Sequence, residues 1–278
     1  MNKKIIILYH AKCFDGFGAA WAAYKKFGDT AEYIPVGNRF TPPSGLDGKE
    51  VYIVDFSYPK ETLLDIQKRA KKLIIIDHHK SAKDDVESVA NHIFDNNHSG
   101  AVLTWNYLHT NLPVPTLLKH IEDGDLWNFA LPHTKDVIQV LGLMPFEFHA
   151  WDIFAKQLED ESVYNKIIKK GAIFKEHWDG LVNQIAEGAQ EVEFEGYKVY
   201  AINASRIFRS SLGHILAIKK PPFAIVWYHR NDHTLSFSLR GDGSIDLAEL
   251  AKKYGGGGHH DAASFEVSNS VQLPFKLL

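Results

Sequence analysis

Leu73-Ile74-Ile75-Ile76-Asp77-His78-His79 is a short apolar run that stops on an acid and two histidines. Four consecutive apolar residues suit a strand buried on both faces of a parallel sheet. Chain direction then delivers Asp77, His78 and His79 together at the strand's carboxyl end, where burying them without partners would cost several kcal/mol. The same arrangement occurs twice upstream. Ile5-Ile6-Ile7-Leu8-Tyr9 leads into His10 and Asp15, and Val51-Tyr52-Ile53-Val54 ends at Asp55. Between them, Ala19, Ala20, Ala22, Ala23 and Tyr24 favour a helix that stops at Gly28, and Pro59 suits the first turn of another that reaches about Lys71. Short apolar strands alternating with helices predict a parallel α/β sheet with right-handed crossovers, whose carboxyl ends gather ligand-binding groups.

Residues 99–188 read as mainly helical, with Pro113 and Pro115 before one helix and Pro132 and Pro145 at breaks. After Gly188 the character changes: 192–203, 223–228 and 234–240 read as strands and 246–254 as a helix leading into the glycine run 255–258. The expected architecture is α/β. An N-terminal parallel-sheet domain over 1–159 carries helices on both faces, 160–188 forms a helical connector, and 189–278 forms a smaller α/β domain.

The chain of 278 residues is 45% hydrophobic and 23% charged, which excludes disordered and fibrous classes and suits two globular domains. A net charge of −3 lacks the basic excess that a long duplex footprint needs. The single cysteine, Cys13, has no internal partner for a disulfide. The apolar N-terminal run is too short for a signal peptide or a membrane span, so a cytoplasmic location without membrane contact is expected.

A parallel sheet would bring His10, Asp15, Asp55, Asp77, His78 and His79 to one edge. Clustered carboxylates repel one another unless a cation neutralises them, and mixed aspartate and histidine donors suit Mn²⁺, Mg²⁺ or Fe²⁺ better than a thiolate-rich zinc site. A dinuclear metal site explains the pattern most economically. Glu122-Asp123-Gly124-Asp125 adds a further acidic group, and Asn96, His98 and Ser99 form a polar cluster in which Ser99 suits a helix N-cap and His98 could reach the site. Glycines 255–258 suit a plain helix stop, but they also let backbone amides approach an anion. His259, His260 and Arg240 could add charge-assisted donors to a phosphate.

Taken in order, YHAKCFDGFGAA, VDFSYP, IIIDHHKSA and EDGDLW, followed by SFSLRG, IDLAELAKKYG and GGGGHHDAASF, resemble the motifs of the DHH phosphoesterase family over residues 10–265. The resemblance implies a DHH catalytic domain followed by a DHH-associated substrate-binding domain, and two divalent ions per chain, with Mn²⁺ first and Mg²⁺ or Fe²⁺ as alternatives. It makes His10, Asp15, Asp55, His78 and Asp123 metal ligands, with Asp55 bridging. Asp125 is the rival to Asp123. His79 would contact the attacked phosphate, with Asp77 orienting a neighbouring histidine. Arg240, Gly257, Gly258, His259 and His260 would hold substrate, with His98 as a further contact. Cys13 stands where most of the family has another aspartate, so the first metal would be weakly held, different or absent. Ser264 replaces a glycine that usually closes the last motif.

The implied activity is metal-dependent hydrolysis of phosphoester bonds in short oligonucleotides or small phosphorylated nucleotides: short RNA, 3′-phosphoadenosine 5′-phosphate, or linear and cyclic dinucleotides. A single-strand-specific exonuclease, an inorganic pyrophosphatase or polyphosphatase, and a catalytically degenerate nucleotide sensor are the alternatives. A homodimer is left open.

Overall fold

The computed structural model describes residues 3–37, 41–268 and 273–278. The chain forms two compact units that divide between Lys175 and Glu176. The first contains β1 (Ile5–His10), α1 (Phe14–Phe27), β2 (Ala31–Val36), β3 (Glu50–Val54), α2 (Lys60–Arg69), β4 (Lys72–Asp77), α3 (Lys83–Glu87), β5 (His92–Phe94), α4 (Gly100–Leu108), α5 (Thr116–Asp125), α6 (Thr134–Leu141), α7 (Phe148–Leu158) and the first part of α8 (Glu161–Ala186).

All five strands of the first sheet are parallel, in the order β2-β1-β3-β4-β5. Alternate residues of the apolar runs pack into different cores. Ile7, Val54, Ile74 and Ile76 join α1, α4 and α5, whereas Ile6, Leu8, Ile53 and Ile75 join Leu63 and Ile66 of α2 and Val86 of α3. Helices therefore cover both faces. This is why the strands read as continuous apolar runs: each fully buried aliphatic side chain contributes about 1.5–3 kcal/mol.

The two edge strands carry no such signature. β2 contains Pro35, which a sheet tolerates at an edge because its missing N–H costs no ladder bond there. β5 is only three residues long. Consecutive crossovers from β1 run to opposite sides, to β2 on one and β3 on the other, so the crevice between the carboxyl ends of β1 and β3 is a topological switch point.

The stretch expected as a separate connector over 160–188 is one continuous helix, α8. Its first half belongs to one unit and its second half to the other.

The second unit adds β6 (Gln190–Phe194), β7 (Tyr197–Asn203), α9 (Arg209–Lys219), β8 (Phe223–His229), β9 (Thr234–Gly241), α10 (Leu247–Lys252), β10 (Gly257–Gly258), β11 (Ala262–Ser268) and β12 (Lys276–Leu277). Its seven-stranded sheet runs β10-β11-β9-β8-β7-β6-β12, with only β7 and β8 paired in parallel. Phe194, Phe223, Phe237 and Phe265 fill one core, and α9 packs Leu212 and Leu216 against Ala224 and Val226 in another. Asp246 caps α10 by accepting hydrogen bonds from the amides of Ala248 and Glu249, which fixes where that helix starts. Among the described residues, no helix is long and apolar enough to cross a membrane.

Candidate functional site

Three strands of the first unit end beside one another, and each delivers a donor. His10 is the last residue of β1, Asp55 follows β3 directly, and Asp77 closes β4, with His78 and His79 next in line. Asp15, in the first turn of α1, joins them. The His78 Nε2 atom lies 3.2 Å from Asp55 Oδ1 and 3.5 Å from Asp15 Oδ2, and His10 Nδ1 lies 3.3 Å from Asp55 Oδ2. Asp15, Asp55, Asp77 and His78 are all buried.

The two central carboxylates are held differently. Asp15 accepts hydrogen bonds from the amides of Gly100, at 2.6 Å, and Ala101, at 3.0 Å. These are the first amides of α4, where the helix dipole favours negative charge. Asp55 has φ +60°, a left-handed conformation that costs about 1–3 kcal/mol unless its surroundings enforce it. Among the described residues neither of its buried oxygens has an aligned hydrogen-bond donor, His10 Nδ1 at ion-pair distance included. A Cβ on Gly100 would stand 2.8 Å from Asp55 Oδ1, so only glycine lets α4 start against this carboxylate.

The electrostatics show what the cluster lacks. Burial and the charge of Asp55 push the Asp15 carboxyl well above the usual carboxylate range, and Asp125 is raised for the same reasons. Burial alone would raise Asp55 too, but His10 and His78 hold it well below its ordinary value. The same pairings outweigh burial at the histidines, raising His78 well above its ordinary value and His10 above its own. Protons thus carry positive charge into a pocket of carboxylates. Buried carboxylate oxygens without donors, beside imidazoles, form a donor set that suits a divalent cation.

Around this centre, Asp77 Oδ1 accepts from the amides of His78 and His79 and contacts His79 Nδ1 at 2.7 Å, so it orients His79. Cys13 is half-buried, and its thiol sulfur lies within 4.8 Å of a ligand atom of both His10 and Asp55.

The acidic stretch of α5 differs from the expected assignment. Asp125 Oδ2 lies 3.6 Å from His78 Nε2, whereas Asp123 turns to the far side. Its two oxygens accept hydrogen bonds from the amides of Ala130 and Leu131 and from the Thr134 hydroxyl, tying down the loop after α5. The reason is helical phase: residues two apart point about 200° apart around the axis. Asp125 lies four residues after the buried Ile121 and seven after Leu118, on the apolar stripe that packs against α1, and this was the available signal. His98 is also placed differently, since its Nδ1 contacts Glu122 Oε2 at 3.0 Å and its side chain is half-buried. Ser99 is the N-cap of α4, as the sequence predicts.

In the second unit, Arg240 on β9 packs its stem where a side chain on Gly213 would stand, and its guanidinium donates to Ser210 Oγ and the Leu239 carbonyl. Arg240 pairs in register with Ala262 of β11, just beyond His259, His260 and Asp261. The glycines serve close approach: a Cβ at Gly258, with φ +146°, would meet the Ala262 carbonyl oxygen at 2.5 Å. The His259 amide donates to that same carbonyl, and the His260 carbonyl accepts from Leu247 at the start of α10. Ser264, in place of the usual glycine, is an exposed position on β11 opposite Gly257 and leaves the strand pairing intact.

The family model described as the DHHA1 domain matches residues 198–275. An uncharacterized protein of Acanthamoeba polyphaga mimivirus is 30% identical, and the alignment covers 98% of this chain and 69% of that protein. Among solved structures, an exopolyphosphatase-related protein from Bacteroides fragilis aligns with a TM-score of 0.54 at 15% identity over 96% of this chain and 87% of its own. RecJ from Thermus thermophilus, solved in complex with Mn²⁺, aligns with a TM-score of 0.53 at 13% identity over 97% of this chain and 50% of its own.

Proposed function

Because this chain belongs to the DHH phosphoesterase family, we propose that it is a metal-dependent phosphohydrolase acting on short oligonucleotides or small phosphorylated nucleotides. The observation that carries this reading is Asp55: a buried carboxylate in a strained conformation, with no aligned hydrogen-bond donor on either oxygen among the described residues, between His10 and His78. In this reading His10, Asp15, Asp55, His78 and Asp125 would hold divalent cations of the Mn²⁺, Mg²⁺ or Fe²⁺ class. Asp125 replaces Asp123 in that set, on the geometry of α5. Bound there, such ions supply Lewis-acid charge for a phosphoryl oxygen and make a water a stronger nucleophile.

The remaining tasks fall to the chain. His79, with Nδ1 held at 2.7 Å from Asp77 Oδ1, is fixed in one orientation and offers its other ring nitrogen to a phosphoryl oxygen. Arg240, His259, His260 and the amides of the 257–258 strand supply donors for a substrate phosphate. A net charge of −3 supports a short substrate over a long one.

The test is product release from a trinucleotide RNA, 3′-phosphoadenosine 5′-phosphate, a linear and a cyclic dinucleotide, pyrophosphate and a long single strand, each with Mn²⁺ and with a chelator. Chelator-sensitive cleavage of the short nucleotides, abolished in Asp55→Asn, is the expected result. No turnover of any of them, or turnover that survives the chelator, overturns it.

A further inference from the structure

We propose that His10, Cys13 and Asp55 form a thiolate-bearing cation site that selects borderline transition ions of the zinc and cobalt(II) class over Mg²⁺ and Mn²⁺. The proposal rests on the reading of this cluster as a metal centre and departs from it on one point: at the His10 side the thiol replaces the Mn²⁺ and Mg²⁺ preference with one for zinc-class ions. The ligand atoms of these three residues lie within 4.8 Å of one another, a spacing from which one ion can bind all three. The neighbours of Cys13 are ready to ligate. Asp55 is 1% exposed, and among the described residues neither of its oxygens nor His10 Nδ1 has a hydrogen-bond partner of good geometry.

Cys13 occupies the N-cap position of α1, where the Gly16 amide approaches its sulfur, and its carbonyl accepts the first helical bond, from Phe17. A serine, threonine or aspartate there would compete for the free amides of the first turn, whereas sulfur is a weak acceptor and stays available.

The donor set then determines the ion. One sulfur, one imidazole and one carboxylate, with a fourth position left for water or substrate, is a set that zinc-like ions adopt in catalytic sites. Mg²⁺ takes oxygen ligands and gains nothing from a thiolate. Binding replaces the thiol proton, so each ion bound at neutral pH releases that proton to solvent.

Since Cys13 is the only cysteine in the chain, any thiolate signal originates there. The experiment titrates the metal-free full chain with Co²⁺, reading near-ultraviolet thiolate-to-cobalt charge transfer and visible ligand-field absorption. Equilibrium dialysis then measures Zn²⁺ and Mn²⁺ affinity in the wild type, Cys13→Ser and Cys13→Asp. The expected result is a charge-transfer band in the wild type, lost in Cys13→Ser, and a zinc-to-manganese affinity ratio at least about tenfold lower in Cys13→Asp. Metal also shields Cys13 from alkylation in the unmodified chain, a readout independent of any variant. Cobalt that binds without the charge-transfer band, or an unchanged affinity ratio, overturns the proposal while leaving the metal centre standing. Failure to retain any divalent ion overturns both.

Discussion

Gly100 and Asp55 meet so closely that a Cβ on Gly100 would lie 2.7 Å from the Asp55 Cβ and 2.9 Å from its Cα. The start of α4 and the left-handed residue after β3 are therefore one joint. Gly100→Ala would drive a methyl group into a strained, buried backbone, and overpacking of this kind costs about 1–3 kcal/mol. We expect a lower melting temperature and weaker divalent-ion binding together, measured by thermal unfolding with chelator and with Mn²⁺. A variant as stable as the wild type would show that the joint yields.

The two aspartates of α5 should separate cleanly. Asp125→Asn is expected to weaken divalent-ion affinity by at least about tenfold with little change in the stability of the metal-free chain. Asp123→Ala leaves the Ala130 and Leu131 amides and the Thr134 hydroxyl without their acceptor. Of these only the Thr134 hydroxyl is buried, and leaving it without that acceptor costs about 1–3 kcal/mol, so this variant should lose stability first. Dialysis and urea denaturation on both variants decide the matter, and the opposite pattern would restore Asp123 as the ligand.

Protons and cations compete for the same pocket. His10 and His78 are raised above their ordinary value of 6.5 by neighbouring carboxylates, against the opposing effect of burial. A raised imidazole contributes stability that is complete below 6.5 and is lost as pH rises through its folded value, and the raised Asp15 and Asp125 act in the same direction. Asp55 acts oppositely, but its contribution fades only well below the ordinary 3.8. The metal-free chain should therefore lose stability as pH climbs above 6.5, while apparent affinity for divalent ions rises. Melting curves from about pH 6 to about pH 9, with chelator and with Mn²⁺, should diverge; parallel curves would contradict the coupling.

Substrate affinity should be separable from metal binding. Arg240→Ala and His259→Ala are each expected to raise KM for a short nucleotide by at least about tenfold, the loss of one charge-assisted hydrogen bond, with divalent-ion affinity unchanged. A change in kcat alone would move both residues out of the substrate-holding role.

Much of this was legible in the residues because the strands that build the centre are buried on both sides. Burial on both faces demands continuous apolar runs, so the first polar residue after each run marks a carboxyl end, and His10, Asp55 and Asp77 were visible for that reason. β2 and β5 lie at the sheet edges, where burial relaxes and a proline is tolerated, so their composition carried no such mark. The choice between Asp123 and Asp125 depended on rotation about a helix axis, which the motif alone does not encode but Leu118 and Ile121 do. The pairing of His98 with Glu122 was not legible, because the two lie 24 residues apart and become neighbours only after folding.

Asp15 serves two masters, since the carboxylate that joins the cluster also caps α4. A descendant that abandoned catalysis would still be under selection to keep it. Asp55 has no such second employment and would be free to drift. In comparing relatives of this chain, an aspartate matching Asp15 is thus a witness to ancestry, whereas one matching Asp55 is a witness to a working centre.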